Sequence, residues 1–290
     1  MTTSLATPET SAATPAWTYR AVTRRVVGIT VVSLVGLAVV AWFLTVRQAQ
    51  SMDDMSSGLG QVGGLGANDM EPVVFLGMWL AMMVAMMFPT VVPLVLAHRL
   101  VLQKRGEGVP PTAAMIAGYI GVWVVIGLLP LGAFLWFRDL SAGAIDSWWL
   151  PTLAGAVIVV AGAYQFTAWK ARCLRVCQTP FTFVLSHDFG GGARSALRSG
   201  VVNGAWCVGC CWALMSVLVV VGLMNLVWMA SLALIFLLEK HTARRGLLTR
   251  VVGTALIVLG LAIIVYPDLL PVVSGAPDRA PSMGSDMSGM

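Results

Sequence analysis

From Val26 to Val46 no side chain is charged, and the same holds across 73–97, 112–137, 149–169 and 201–222. Runs of this length match the roughly 20 residues an α-helix needs to cross the bilayer core. Apolar and polar residues do not alternate along them, so a transmembrane β-barrel is excluded. Two further apolar stretches, 226–239 and 248–267, bring the segments to seven. Charged residues make up 11% of the chain, where an ordinary soluble domain carries about 25%. The sequence predicts an all-α fold, a polytopic transmembrane helical bundle of about seven spans, multi-pass in a cell membrane.

Around these spans the chain divides by composition. Residues 1–25 read as a cytoplasmic tail, disordered where Thr, Ser, Ala and Pro dominate. Arg20, Arg24 and Arg25 precede the first span at 26–46, which is longer than the 7–15-residue core of a signal peptide. A retained span is therefore expected. Arg24-Arg25 bears a faint likeness to a twin-arginine signal, but the run that follows is of span length. Residues 47–71 form an outer loop with Met and Asp, 72–267 a metal-binding membrane domain of about six spans, and 268–290 a Met-rich outer tail.

Basic residues set the expected orientation. With the amino end inside, the inner segments hold Arg20, Arg24, Arg25, Arg99, Lys104, Arg105, Lys170, Arg172, Arg175, Arg194, Arg198, Lys240, Arg244, Arg245 and Arg250. Of the 18 Lys and Arg only Arg47, Arg138 and Arg279 fall outside, the bias that the positive-inside rule demands. Acidic residues sort the other way: Asp53, Asp54, Asp69, Glu71, Asp139, Asp146, Asp268, Asp278 and Asp286 lie outside. The amino end is expected in and the carboxyl end out. Segments 201–222 and 226–239 are read as separate spans joined by a tight turn near Gly222–Asn225; merging them would reverse the last loop's charges. Topology accounts for the positive charge, so no nucleic-acid partner is expected.

Sulfur ligands sort by side as well. Within one span stand Met78, Met82, Met83, Met86 and Met87, followed by Pro89 and Pro93. At 100° per residue, Met78, Met82 and Met86 descend one side of a helix with Met83 and Met87 beside them. Such a thioether ladder suits a soft metal, and equally suits pliable packing. Pro89 frees the carbonyl of Ala85 and Pro93 that of Pro89, since proline has no N–H to donate. Met52 and Met55 in the outer loop, with Met283, Met287 and Met290 in the tail, are candidates for outer metal capture; a flexible tail with incidental methionines is the alternative.

All five cysteines fall on the inner side. Cys173 and Cys177 are spaced i, i+4, and Cys207, Cys210 and Cys211 lie within about 100° of helical arc. A reducing cytosol argues against structural disulfides. Buried packing is the ordinary role of a lone cysteine in a membrane helix; two clusters at ligand-compatible spacing favour a site for Cu(I) or Zn(II), and the methionines favour copper. His98, at the inner end of the methionine helix, is the best-placed histidine ligand, although a histidine in a basic interfacial loop is usually only solvated.

Enzymatic motifs are missing from the sequence. No GxxxxGK[ST] loop, Ser-His-Asp set or paired carboxylate arrangement occurs, and no span carries the histidines that a heme would need. The chain is not expected to be an enzyme. Charged residues are expected only at span boundaries and in loops, Glu239 approaching closest, which disfavours classical proton- or sodium-coupled transport.

Several of these motifs together resemble a bacterial family of predicted metal-binding integral membrane proteins. They are Met78-Trp-Leu-Ala-Met-Met-Val-Ala-Met-Met-Phe-Pro, Cys173-Leu-Arg-Val-Cys, Gly204-Ala-Trp-Cys-Val-Gly-Cys-Cys-Trp-Ala-Leu-Met215, Met224-Asn-Leu-Val-Trp-Met229 and Glu239-Lys240. The resemblance covers roughly 72–265. Some members carry the label copper chaperone, so the resemblance implies a copper-handling role. The Met-rich outer tail and His98 stand outside the family's pattern. The expected function is soft-metal binding, with Cu(I) handled or transferred at or across the membrane among lipid and a metal-donor or acceptor protein. The alternatives are an accessory or assembly protein with a structural Zn(II)-thiolate site and no transport, or a metal-free scaffold.

Overall fold

A computed structural model describes residues 16–52, 72–140, 149–186, 191–222, 225–242 and 245–274, and in them the chain is helical without strands. The helices are α1 (Ala16–Met52), α2 (Pro72–Lys104), α3 (Pro110–Leu140), α4 (Leu150–Tyr164), α5 (Ala168–Gln178), α6 (Pro180–Ser186), α7 (Gly192–Val221), α8 (Leu226–His241), α9 (Arg245–Val265) and α10 (Leu269–Ser274). Six of the seven apolar segments each fall essentially on one helix; the segment 149–169 is divided between α4 and the start of α5.

Among the described residues, five helices are long and apolar enough to cross a membrane, in α1, α2, α3, α7 and α9. A sixth crossing is available if α4 and α5, bent by 63° at their junction, count as one. Of the seven expected spans, the one on α8 has 16 residues, short of the roughly 20 that a span requires. It is nonetheless a separate helix: Val221 ends α7, Gly222 takes a φ of 106°, and the Asn225 side chain caps α8 by accepting from Trp228 N. The face α1 turns outward carries exposed Ile29, Val32, Val39, Val40 and Phe43, a surface suited to lipid rather than water.

Parts of four expected irregular stretches are helical instead. α1 starts at Ala16, inside the tail expected to be disordered to residue 25, and runs on to Met52, inside the expected outer loop. No glycine or proline interrupts either flank of the apolar run. Where a long inner loop is expected between 170 and 200, Thr167 caps α5 by accepting from Lys170 N, and α6 and the first turns of α7 follow. α10 occupies the start of the expected outer tail.

Packing rests on small residues at two seams. Between α4 and α9, a Cβ on Gly155 would stand 2.7 Å from Gly260 O, and one on Gly162 would stand 2.8 Å from Gly253 O. Both pairs are seven residues apart, so the backbones touch on the same face over two turns. Between α3 and α7, Gly118 and Gly200 permit the same closeness, against the backbones of Leu197 and Met115. In a lipid environment such close approach favours helix association through van der Waals packing. The resulting core joins the methionines of α2 to the cysteines of α5 and α7, with Trp79, Trp123, Met215, Met229 and Phe236 around them.

Candidate metal centre

The methionine helix supplies one wall of the site. Met82, Met83, Met86 and Met87 are buried, while Met78 is half-buried at the other end of the ladder. α2 continues through both prolines. The carbonyl of Ala85, left without its helical donor by Pro89, accepts instead from the Trp42 indole N–H of α1 at 3.1 Å. Thr90 Oγ1 donates to Met87 O at 2.8 Å.

α7 supplies the opposite wall. Cys207, Cys210 and Cys211 are all buried, and their three sulfurs lie within 4.8 Å of one another. Cys210 Sγ is 3.3 Å from Cys211 Sγ. Cys210 also donates to Cys207 O at 3.1 Å. Two sulfurs each about 2.3 Å from a shared ion are at most about 4.6 Å apart, so small side-chain rotations bring these thiols onto one metal. The donor set is soft and dry, which fits Cu(I) or Zn(II) and not a hard, oxygen-seeking cation.

Two further cysteines come from α5. Cys177, half-buried, packs against the core that holds Cys207, Cys210 and Cys211. Cys173 is buried against Gly209, where a Cβ would stand 2.8 Å from its sulfur. Any larger residue at 209 would displace the Cys173 sulfur from this position. Tyr164 closes that side by donating to Gly209 O at 2.5 Å. All five cysteines are free thiols and meet in one region.

Cys207 joins the two walls. Its sulfur is 4.0 Å from Met87 Sδ and 3.2 Å from the Tyr119 hydroxyl. The ladder and the cysteine cluster are therefore contiguous at Met87. Lys240 Nζ, buried at the end of α8, donates to Cys207 Sγ at 3.2 Å and to Thr90 Oγ1 at 3.0 Å. A buried ammonium beside a sulfur supplies the counter-charge that a thiolate or an anionic metal–thiolate needs in a low dielectric.

Charged residues expected at the boundaries include some of the most deeply buried side chains. Lys170 is 1% exposed, Glu239 2% and Lys240 8%. Tyr119, Thr90 and Lys240 were not legible as parts of the site. Glu239-Lys240, a charged pair at the end of an apolar helix, was the one signal for them in the sequence.

His98 is buried elsewhere, in a cavity also lined by Arg105, Phe183, Ser195 and Ser199. It is eleven residues beyond Met87, about 16 Å along α2. Met52 ends α1, with its side chain outside the described residues; Met55, Met283, Met287 and Met290 also lie outside them.

A family model described as copper chaperone, PpoB2, matches residues 76–263. No curated protein and no solved structure matches the chain.

Proposed function

The chain belongs to the PpoB2 copper-chaperone family, and from that premise we propose that it is an integral membrane protein that binds Cu(I) as cargo and hands it on. The observation that carries this reading is the contact of the buried three-cysteine cluster with Met87, which joins thiols to thioethers in one soft donor set. The ions are held by Cys207, Cys210 and Cys211, with Cys177 and Met87 at the edge. Met78, Met82, Met83 and Met86 form the approach, and Met52, Met55, Met283, Met287 and Met290 collect the ion outside.

The amino end lies inside and the carboxyl end outside, in the bacterial cell membrane, and a second protein delivers or receives the metal. The role is binding and exchange of a soft ion, not catalysis. Thioethers bind Cu(I) without first losing a proton, so they suit an entry route; thiolates hold it more firmly at the end.

Elemental analysis of protein purified without chelator tests the reading. Copper is expected in the parent and is lost from Cys207→Ser with Cys210→Ser. A copper content unchanged in that double variant overturns the thiol site. Zinc in the parent, with unfolding on its removal, selects the structural zinc site instead. Leucine at Met82, Met83, Met86 and Met87 together tests the ladder: unchanged copper content removes it from the ligand set.

A further inference from the structure

Beside the thiol cluster the bundle buries an ion pair that metal binding does not itself use. Lys170 Nζ lies 2.9 Å from Glu239 Oε2 and 3.0 Å from Oε1, with both side chains almost wholly covered. Taking both charges out of water is costly, and an apolar pair would hold two helices at least as well. The pair is well satisfied: Gln165 Oε1 accepts from Lys170, and Thr249 Oγ1 of α9 donates to Glu239 Oε1 at 3.3 Å. The main chain of the same residue is also engaged, since Gln178 Nε2 donates to Glu239 O at 2.5 Å.

Position gives these bonds a purpose. Lys170 and Gln178 stand near the two ends of the 11-residue α5, and Cys173 and Cys177 lie between them. A 63° bend separates α5 from α4, so α4 does not fix its direction. Glu239 holds both ends. The next residue, Lys240, contacts Cys207 on α7. Two consecutive residues of α8 thus reach both helices that carry cysteines.

We propose that Glu239 is a positioning residue of the thiol site: through Lys170 and Gln178 it clamps α5, so that Cys177 meets Cys207 and Cys210 and joins the ligands of the metal. The metal part of this inference rests on the copper-binding reading above. Release of the clamp leaves the three thiols of α7 together and frees Cys177 from them.

The test uses the full chain in lipid nanodiscs. Lys170→Met combined with Glu239→Gln removes both charges at once, so that no buried ion is orphaned. Lys170→Glu combined with Glu239→Lys reverses the pair and keeps the clamp. Two readouts are taken: the rate at which a maleimide alkylates Cys177 in metal-free protein, followed by peptide mass spectrometry, and the Cu(I) affinity in competition with a chromogenic chelator. The neutral variant is expected to react at Cys177 at least about tenfold faster and to bind Cu(I) about 10- to 100-fold more weakly, the usual cost of losing a group that orients a ligand. Adding Cys177→Ser to the neutral variant costs no further affinity, and the reversed pair restores both readouts.

Parental reactivity of Cys177 in the neutral variant overturns the clamp. So does a reversed pair as reactive as the neutral one, or a Cys177→Ser loss that adds in full. Because alkylation is read without metal, a parent that binds no copper sinks the copper reading alone and leaves the clamp decided by Cys177.

Discussion

Four kinds of side chain meet at the sulfur of Cys207: a thioether, a phenol, an ammonium and neighbouring thiols. The ammonium of Lys240 is the one that answers charge with charge. Lys240→Met is therefore expected to weaken Cu(I) binding by about 10- to 100-fold while leaving all the sulfurs in place, as measured by chelator competition. An unchanged affinity would show that the metal–thiolate finds its counter-charge elsewhere. A second residue-scale prediction concerns Trp42, whose indole N–H serves the carbonyl that Pro89 leaves open. Trp42→Phe keeps most of the ring and removes the donor, so Ala85 O is buried unsatisfied. The expected cost is about 1–3 kcal/mol, read as a lower thermal midpoint in detergent.

Among the helices, α7 carries the most chemistry, and its neighbours are shaped to let it come close. Glycine at 118, 200 and 209 admits a backbone or a sulfur where a Cβ would collide. The same device joins α4 to α9, and through α4 it supports Tyr164 on Gly209. Gly162→Leu is expected to force α4 from α9, because its Cβ would meet backbone atoms of Gly253 and Ile257 that cannot rotate aside. Overpacking of that kind costs about 1–3 kcal/mol, measurable as reduced resistance to thermal aggregation. A variant as stable as the parent would mean that the seam carries no load. α5 is the contrasting case, a short helix attached by polar bonds at its ends.

For the whole molecule, metal and fold are expected to be coupled. A ligand that binds only the folded chain stabilises it by about 4 kcal/mol at a thousand times its Kd. Cu(I) loading should raise the thermal midpoint of the parent and not that of Cys207→Ser with Cys210→Ser. An equal rise in both would place the binding outside the thiol cluster. The proposed orientation has its own check: a reporter active only outside the cytoplasm, fused after Met290, should be active. Silence there would argue for an even number of crossings.

Much of the architecture was legible in the sequence because long apolar helices leave a one-dimensional trace. The expected apolar segments fall on helices, 149–169 being broken between α4 and α5, and the separate identity of α8 followed from Gly222 and Asn225. The run 170–200 misled because its polar, basic residues look like a loop, whereas Thr167, Pro180 and Gly191 punctuate helices there. Hydropathy could not place charge, either. Lys170, Glu239 and Lys240 sit at helix ends, where a linear reading puts them in water, yet neighbouring helices cover them.

By itself the sequence determined the class of fold, the soft chemistry of the ligands and the family resemblance, since length, hydropathy and residue type are properties of the chain alone. Only the tertiary structure decided that Met87 touches Cys207, that α5 packs Cys177 against the core holding the α7 cysteines, and that Lys240 supplies the charge beside Cys207. These are contacts between residues far apart in sequence, made when separate helices pack together, and no local pattern encodes them.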